Sequence, residues 1–407
     1  MTGESNGGDN ELKSGANRAG LEKNTSEGTL TLKDDNKDGS LKATGGDSGA
    51  GIGGGVNGSG ENITITGGTV TATGGDYGAG IGGGYKGYGK NITIKGGTVN
   101  AAGGDNGGAG IGGGDYGSGE DITITGGTVN AAGGLDGAGI GGGWKGSGKN
   151  ITITGGTVNA AGGNGGSGIG GGDYGSGEDI TIKGGTVNAA GGYGGAGIGG
   201  GYEGSGSNVT VSGAAQVTAI TGKPDWVGAG ATIGNGGSKT PDGLVDGKEI
   251  QADISGVTTG YIHHIIYEQD GTTIKKEWWE PERPQPNPED PNAPAEESNE
   301  VSLGTPVLHV ETLEGDPLPF DARQQGSTLR VTSNTLAARL HGTRQALEAL
   351  REQGVEQIQF VTSFKTTTLS VAELLAEGGS WFALEHDGLG SRRLSAAQAE
   401  SLKCWMH

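Results

Sequence analysis

The segment "GAGIGGGDYGSGEDITITGGTVNAAGG", Gly108–Gly134, recurs along the chain at a fixed spacing, and this periodicity restricts the fold more than any other feature. The isoleucines of "GIGGG" fall at Ile52, Ile81, Ile111, Ile140, Ile169 and Ile198, a period of 29 residues with one insertion to 30. The motif "NITIT" keeps step through Ile63, Ile92, Ile122, Ile151 and Ile180 to Val209, and "GTV" follows with Val70, Val99, Val129, Val158 and Val187. Degenerate copies flank these, "GANRAGLEK" near Leu21 and "VGAGATIGNGG" around Ile233. Together they make roughly eight turns of one unit, with atypical end turns as caps.

Within a unit the pattern has period two. Ile63 and Ile65 point one way, Thr64 and Thr66 the other, and Val70 shares a face with Ala72. Three short strands joined by Gly-Gly turns and stacked on their neighbours predict a parallel β-helix of triangular section. Parallel ladders lie ~4.8 Å apart, so eight coils span roughly 40 Å. One coil buries about five small apolar side chains, worth ~1.5–3 kcal/mol each. Ordering its residues costs ~1 kcal/mol or more apiece. Stacking must therefore supply the balance.

The 407 residues include 95 glycines and 11 prolines without a Gly-X-Y period, which excludes collagen. The ordered Ile/Thr/Val triplets distinguish the chain from low-complexity disorder. Cys404 is the one cysteine, so no disulfide forms within a monomer and the redox compartment stays open. A net charge of −20 argues against nucleic-acid backbones and anionic membranes. It suits an extracellular protein or one that binds cations. No apolar run approaches the ~20 residues of a membrane span. The chain opens "MTGESNGGDNELKSG", without a basic segment followed by an apolar one, and is expected to be a mature or trimmed secreted form.

The loops after each "GGG" read "VNGSGEN", "YKGYGKN", "DYGSGED", "WKGSGKN", "DYGSGED" and "YEGSGSN". Lys86 and Lys90 thus lie one coil from Asp115, Glu120 and Asp121, which precede Lys145 and Lys149 and then Asp173, Glu178 and Asp179. The expectation is a charge ladder that fixes register, each exposed pair worth ~0.2–1 kcal/mol. Calcium is a second reading for "DYGSGED", with the lysines as competitors. A glycosidase pair at Asp121 and Asp179, two coils or ~10 Å apart, is a third. An active site should break the repeat, whereas these positions follow it, so catalysis is not expected.

The same loops carry aromatics at Tyr85 (with Tyr88), Tyr116, Trp144, Tyr174 and Tyr202. Stacked in register, they would form a stripe along one edge on which sugar rings could pack. The alternative is that they merely stack on one another, at ~0.5–1.5 kcal/mol per pair. Thr64, Thr93, Thr123, Thr152, Thr181 and Thr210 form an outward column suggestive of ice binding, but Lys95 and Lys183 interrupt the column beside it.

"GAGIGGG", "NITITGGTVNAAGG" and "GANRAGLEKNTSEGTLTL" resemble the glycine-rich parallel β-helix repeats of secreted bacterial surface proteins, including adhesin-like and carbohydrate-binding β-helix domains, over about residues 10–240. The resemblance implies an extracellular region used in adhesion or polysaccharide binding, in some relatives with calcium.

The expected organisation is a solenoid with caps over 1–260, a β-hairpin over 261–280, a Pro-rich acidic linker over 281–300 and a small α+β domain over 301–407. In the hairpin, His263 and His264 should face opposite ways. In the last domain, 333–354 predicts a helix with Ser333 or Asn334 as N-cap and Gly354 as stop. His341, His386 and Asp387 lack a nucleophile elbow, so this domain is expected to be an assembly module with a protein partner. The expected whole is a non-catalytic extracellular rod that binds a polysaccharide or cell-surface glycan, without cofactor, nucleic acid or membrane insertion. The alternatives are a β-helix lyase or hydrolase, whose one break in regularity lies near "KPDWVGAG", and a spacer or ice-binding face.

Overall fold

The computed structural model describes residues 9–23, 25–34, 39–222, 227–268, 274–281, 308–313, 318, 320–333, 335, 337–362, 365–387, 390–395 and 398–399. It divides into two compact units, Met1–Arg283 and Pro284–His407.

In the first unit the repeat coils around one axis. Gly108–Gly134 contributes the strands Ile111–Gly112, Gly119–Ile124 and Thr128–Ala132. Each pairs in parallel with its equivalents in the coils before and after: Ile111 with Ile81 and Ile140, Ile122 with Ile92 and Ile151, Val129 with Val99 and Val158. Three sheets of eight, seven and ten strands result, and the fold is a parallel β-helix. Period-two alternation sends Ile122, Ile124, Val129, Ala131 and Ile111 inward, where all are fully buried. Their equivalents above and below extend five apolar columns into one thin core.

The solenoid is longer than the glycine motif indicates. The ten-stranded sheet begins with Asp9–Lys13 and adds Tyr261–Tyr267 in parallel on Gln216–Ile220. Neither "DNELK" nor "YIHHIIY" carries a glycine signature, but both pair along the existing edge. The chain then turns back as Ile274–Glu280, antiparallel to Tyr261–Tyr267, and closes that end of the sheet.

Two backbone features fix the coil's shape. Gly112 has φ +137°, and a Cβ there would lie 2.0 Å from the carbonyl oxygen of Gly141 in the next coil. Close coil spacing therefore needs glycine here. In the strands with inward isoleucines, Asn62, Asn91, Asp121, Asn150, Asp179 and Asn208 are left-handed, φ 52–57°. Asn and Asp are the side chains that best tolerate this region. On the outer face of the valine sheet, Asn130 donates to Asn100 at 2.8 Å, Asn159 to Asn130 at 2.8 Å and Asn188 to Asn159 at 2.9 Å, forming an amide ladder.

The second unit is a small α+β fold. An antiparallel sheet joins His309–Glu311, Ala337–Thr343, Trp381–Asp387 and Gly390–Arg393; a mixed sheet joins Asp321–Gln325, Thr328–Thr332, Gln357–Val361 and Thr366–Ser370, its two middle strands parallel. Helices α1 (Arg344–Glu352) and α2 (Val371–Ala376) contribute Leu347, Leu350, Leu374 and Leu375 to a core with Val310, Leu340 and Phe360. The helix expected over 333–354 is half strand. Ala337–Thr343 alternates, with Arg339 and His341 opposite Glu385 and Ala383 of the neighbouring strand. Helix α1 starts one residue later, with Thr343 as N-cap, its hydroxyl accepting from the Ala346 amide. Residues 282–300 of the expected linker, Asn334 and Cys404 lie outside the described residues.

Candidate functional site

The turn after each Gly-Gly-Gly places two adjacent side chains on one edge of the solenoid. Its first residue donates its amide to the facing turn, as Trp144 N does to Gly107 O and Asp173 N to Asp136 O; its second donates along the axis, as Lys145 N does to Asp173 O. These bonds define two neighbouring columns. The first holds Tyr85, Asp115, Trp144, Asp173 and Tyr202; the second holds Lys86, Tyr116, Lys145, Tyr174 and Glu203. All five of the second column are left-handed, φ 54–61°, a conformation costing ~1–2 kcal/mol for side chains of this kind.

The aromatics therefore do not stack in one register column. They alternate between two, because "YK" and "DY" are offset by one residue, and their rings meet edge to face. Tyr85–Tyr116 centroids are 6.1 Å apart, Tyr116–Trp144 4.6 Å and Tyr174–Tyr202 5.4 Å. Tyr77, on the facing turn, extends the row at 5.3 Å from Tyr85. Sequence reading missed it, although "GGDYGAG" places a lone aromatic opposite the stripe. Tyr77, Tyr116 and Tyr174 are exposed. Tyr202 is buried against Gly194 and Val227, so it props Tyr174 rather than offering a face. Tyr88 is exposed but sits in a different column, its amide donating to Ser59 Oγ.

The expected charge ladder divides in three. Its axial part runs Glu61, Lys90, Glu120, Lys149, Glu178 by strand register, with Lys90–Glu120 at 3.3 Å and Lys149–Glu178 at 3.6 Å. Asp121 and Asp179 instead accept from Asn150 and Asn208 at 3.1 Å, and Asp121 also lies 4.0 Å from Lys90. Lys86 and Lys145 belong to the aromatic row. The Lys145 ammonium lies 4.2 Å from the Trp144 centroid, 5.7 Å from Tyr116 and 5.9 Å from Tyr174; Lys86 lies 5.0 Å from Tyr85 and 5.9 Å from Tyr116.

Asp115 and Asp173 lie beneath this row. Asp115 is only 3 % exposed, and Oδ1 of both carboxyls is buried without a hydrogen-bond partner. Burial, reinforced by the charge of Asp136, pushes Asp115 up to about 6 and Asp173 to about 7. Asp136 is itself raised by burial. The Trp144 indole donates to Asp173 and opposes its shift. Both carboxyls fit because the facing turn is glycine at 107 and 165: a Cβ on Gly165 would lie 3.0 Å from Asp173 Oδ1. Past Tyr174 the edge opens into a groove of about 400 Å³ lined by Ser176, Glu203, Ser205, Asn235 and Ser238.

The acids of "DYGSGED" thus separate into a buried position, the axial ladder and the Asx ladder. Among the described residues, no three His, Cys, Asp or Glu converge as a metal site. The histidines among the described residues pack within the fold. His263 stacks on Trp279 at 4.2 Å and meets Glu277, whereas His264 points the other way, stacks on Trp278 at 4.3 Å and shares a hydrogen bond with Thr232 Oγ1. In the second unit, fully buried His386 lies between Thr362 and Thr367, and His341 stacks on His309, 3.1 Å from Glu311.

Six segments, 37–56, 63–85, 92–115, 122–144, 151–173 and 180–202, match the family model described as beta helix repeat. No curated protein and no solved structure matches the chain significantly. The matched segments include Tyr77, Tyr85, Trp144 and Tyr202, with Tyr116 and Tyr174 one residue beyond a segment's end, and the solenoid is built of glycine-rich parallel β-helix repeats.

Proposed function

We propose that the protein is a non-catalytic extracellular rod that binds a polysaccharide or cell-surface glycan along the zigzag of Tyr77, Tyr85, Tyr116, Trp144 and Tyr174. The observation that carries this reading is backbone strain. Tyr116 and Tyr174 occupy left-handed positions, although Asn57 at the equivalent place shows what an unstrained coil would use. Lys86, Lys145 and Glu203 bear the same strain, but Tyr116 and Tyr174 each spend it on an exposed ring, which points to a role for the ring outside folding. Edge-to-face rings with exposed rims suit the apolar faces of pyranoses, while serine and carboxylate neighbours can hold hydroxyls. In this reading the second unit serves assembly or attachment through a protein partner.

A glycan array read with the wild type beside Tyr116→Asn/Trp144→Ala/Tyr174→Asn tests this. Asparagine keeps the left-handed turn, so the folded coil persists. Binding by the wild type and its loss in the variant are expected. Equal binding by both refutes the stripe.

A further inference from the structure

The rings of this edge are already occupied by cations, and the cations are the protein's own. The ammonium groups of Lys86 and Lys145 sit against four of the rings. Asp115 feels the charge of both lysines and of Asp136. Around the row stand Asp115, Asp136, Asp173 and Glu203, twice as many acidic groups as the two lysines. Asp115 and Asp173 each keep a buried oxygen with no donor. A neutral glycan leaves that uncompensated acceptor charge untouched, and a uronic-acid chain adds to it. Ring faces backed by carboxylates attract organic cations. The chain's net charge of −20 extends that attraction to longer range.

Building on the glycan-binding reading, we infer that the ligand is an amine-bearing polysaccharide, a chain of amino sugars with free ammonium groups. Its ammonium groups displace the exposed side chains of Lys86 and Lys145 from the ring faces they mark, and its pyranose rings lie along the stripe. Spacing favours a sugar chain over a basic peptide. The aromatic pattern repeats every two coils, ~10 Å along the axis, whereas same-side residues of an extended peptide recur at ~7 Å. A pyranose in an extended 1,4-linked chain is about as long as one coil is deep.

The test is calorimetric titration of the full chain at about pH 7, where Asp173 is about half ionised, with glucosamine oligomers, length-matched N-acetylglucosamine, glucose and uronic-acid oligomers, and polylysine. The expected result is binding of the glucosamine oligomer at least ~10-fold tighter than the other probes, weakened ~10-fold or more by Asp173→Asn and lost in Tyr116→Asn/Tyr174→Asn, on the scale of one desolvated cation–ring contact. Glu178→Gln, which removes a single carboxylate away from the row, should leave binding unchanged. Unfolding midpoints of the variants establish that they fold. Tighter binding of a neutral or acidic oligomer through the same rings overturns the cationic ligand and leaves the glycan-binding reading standing. Polylysine binding as tightly as the amino sugar overturns the saccharide class. Failure of every oligosaccharide overturns both readings.

Discussion

Replacing Asp115 by asparagine keeps the size and shape of a buried side chain and removes its titration. The Asp115 carboxyl moves from its ordinary 3.8 to about 6 in the folded protein because burial disfavours its charge. A folded value above the unfolded one means the protonated form is the one the fold prefers. The associated stability is fully present below about pH 4 and is lost as the pH rises through about 6. The difference corresponds to about 3 kcal/mol between acid and alkaline conditions. The amide carries no such dependence. Asp115→Asn should therefore stabilise the solenoid by up to about 3 kcal/mol more at pH 8 than at pH 4, compared with wild type. Urea unfolding at both pH values, followed by the strand signal in far-ultraviolet circular dichroism, measures this. If the variant shifts the midpoint equally at both pH values, Asp115 is ionised normally and the account of buried, unsatisfied charge beneath the rings is wrong.

Two further substitutions probe the backbone. Lys86→Asn relieves a left-handed lysine at φ 60° and should raise the unfolding free energy by up to about 1 kcal/mol after loss of its ring contacts; a destabilised variant would show that the lysine–ring contacts outweigh the strain. Gly112→Ala places a methyl 2.0 Å from Gly141 O and should cost about 4 kcal/mol or more, read as a lowered denaturation midpoint, whereas a near-neutral result would mean that adjacent coils can separate freely.

The solenoid was legible because each repeated residue reports its own column. Ile52 to Ile198 at constant spacing leaves few alternatives to coils stacked in register. The ends were less legible: "DNELK" and "YIHHIIY" join the sheet through backbone pairing alone, which has no glycine signature. The aromatic row was seen as a single column because the loops were compared as blocks. Position by position, Tyr85 aligns with Asp115 and Lys86 with Tyr116, which predicts the zigzag and removes Lys86 and Lys145 from the charge ladder. In the second unit, "AARLHGT" has strong helix formers beside a true helix. Its pairing on both sides, with His309–Glu311 and Trp381–Asp387, overrides local preference. The buried state of Asp115 and Asp173 depends on glycines of a distant turn at 107 and 165, a relation that no local pattern carries.

Every rung of the valine sheet joins one coil to the next, so the ladder bonds lie along the long axis of this unit. Tension between its ends would load the coils in series, and the weakest would part while its neighbours hold. Each parted coil frees 29 residues, about 100 Å of extended chain. A solenoid so loaded lengthens in discrete steps and can re-coil when slack, absorbing force one coil at a time.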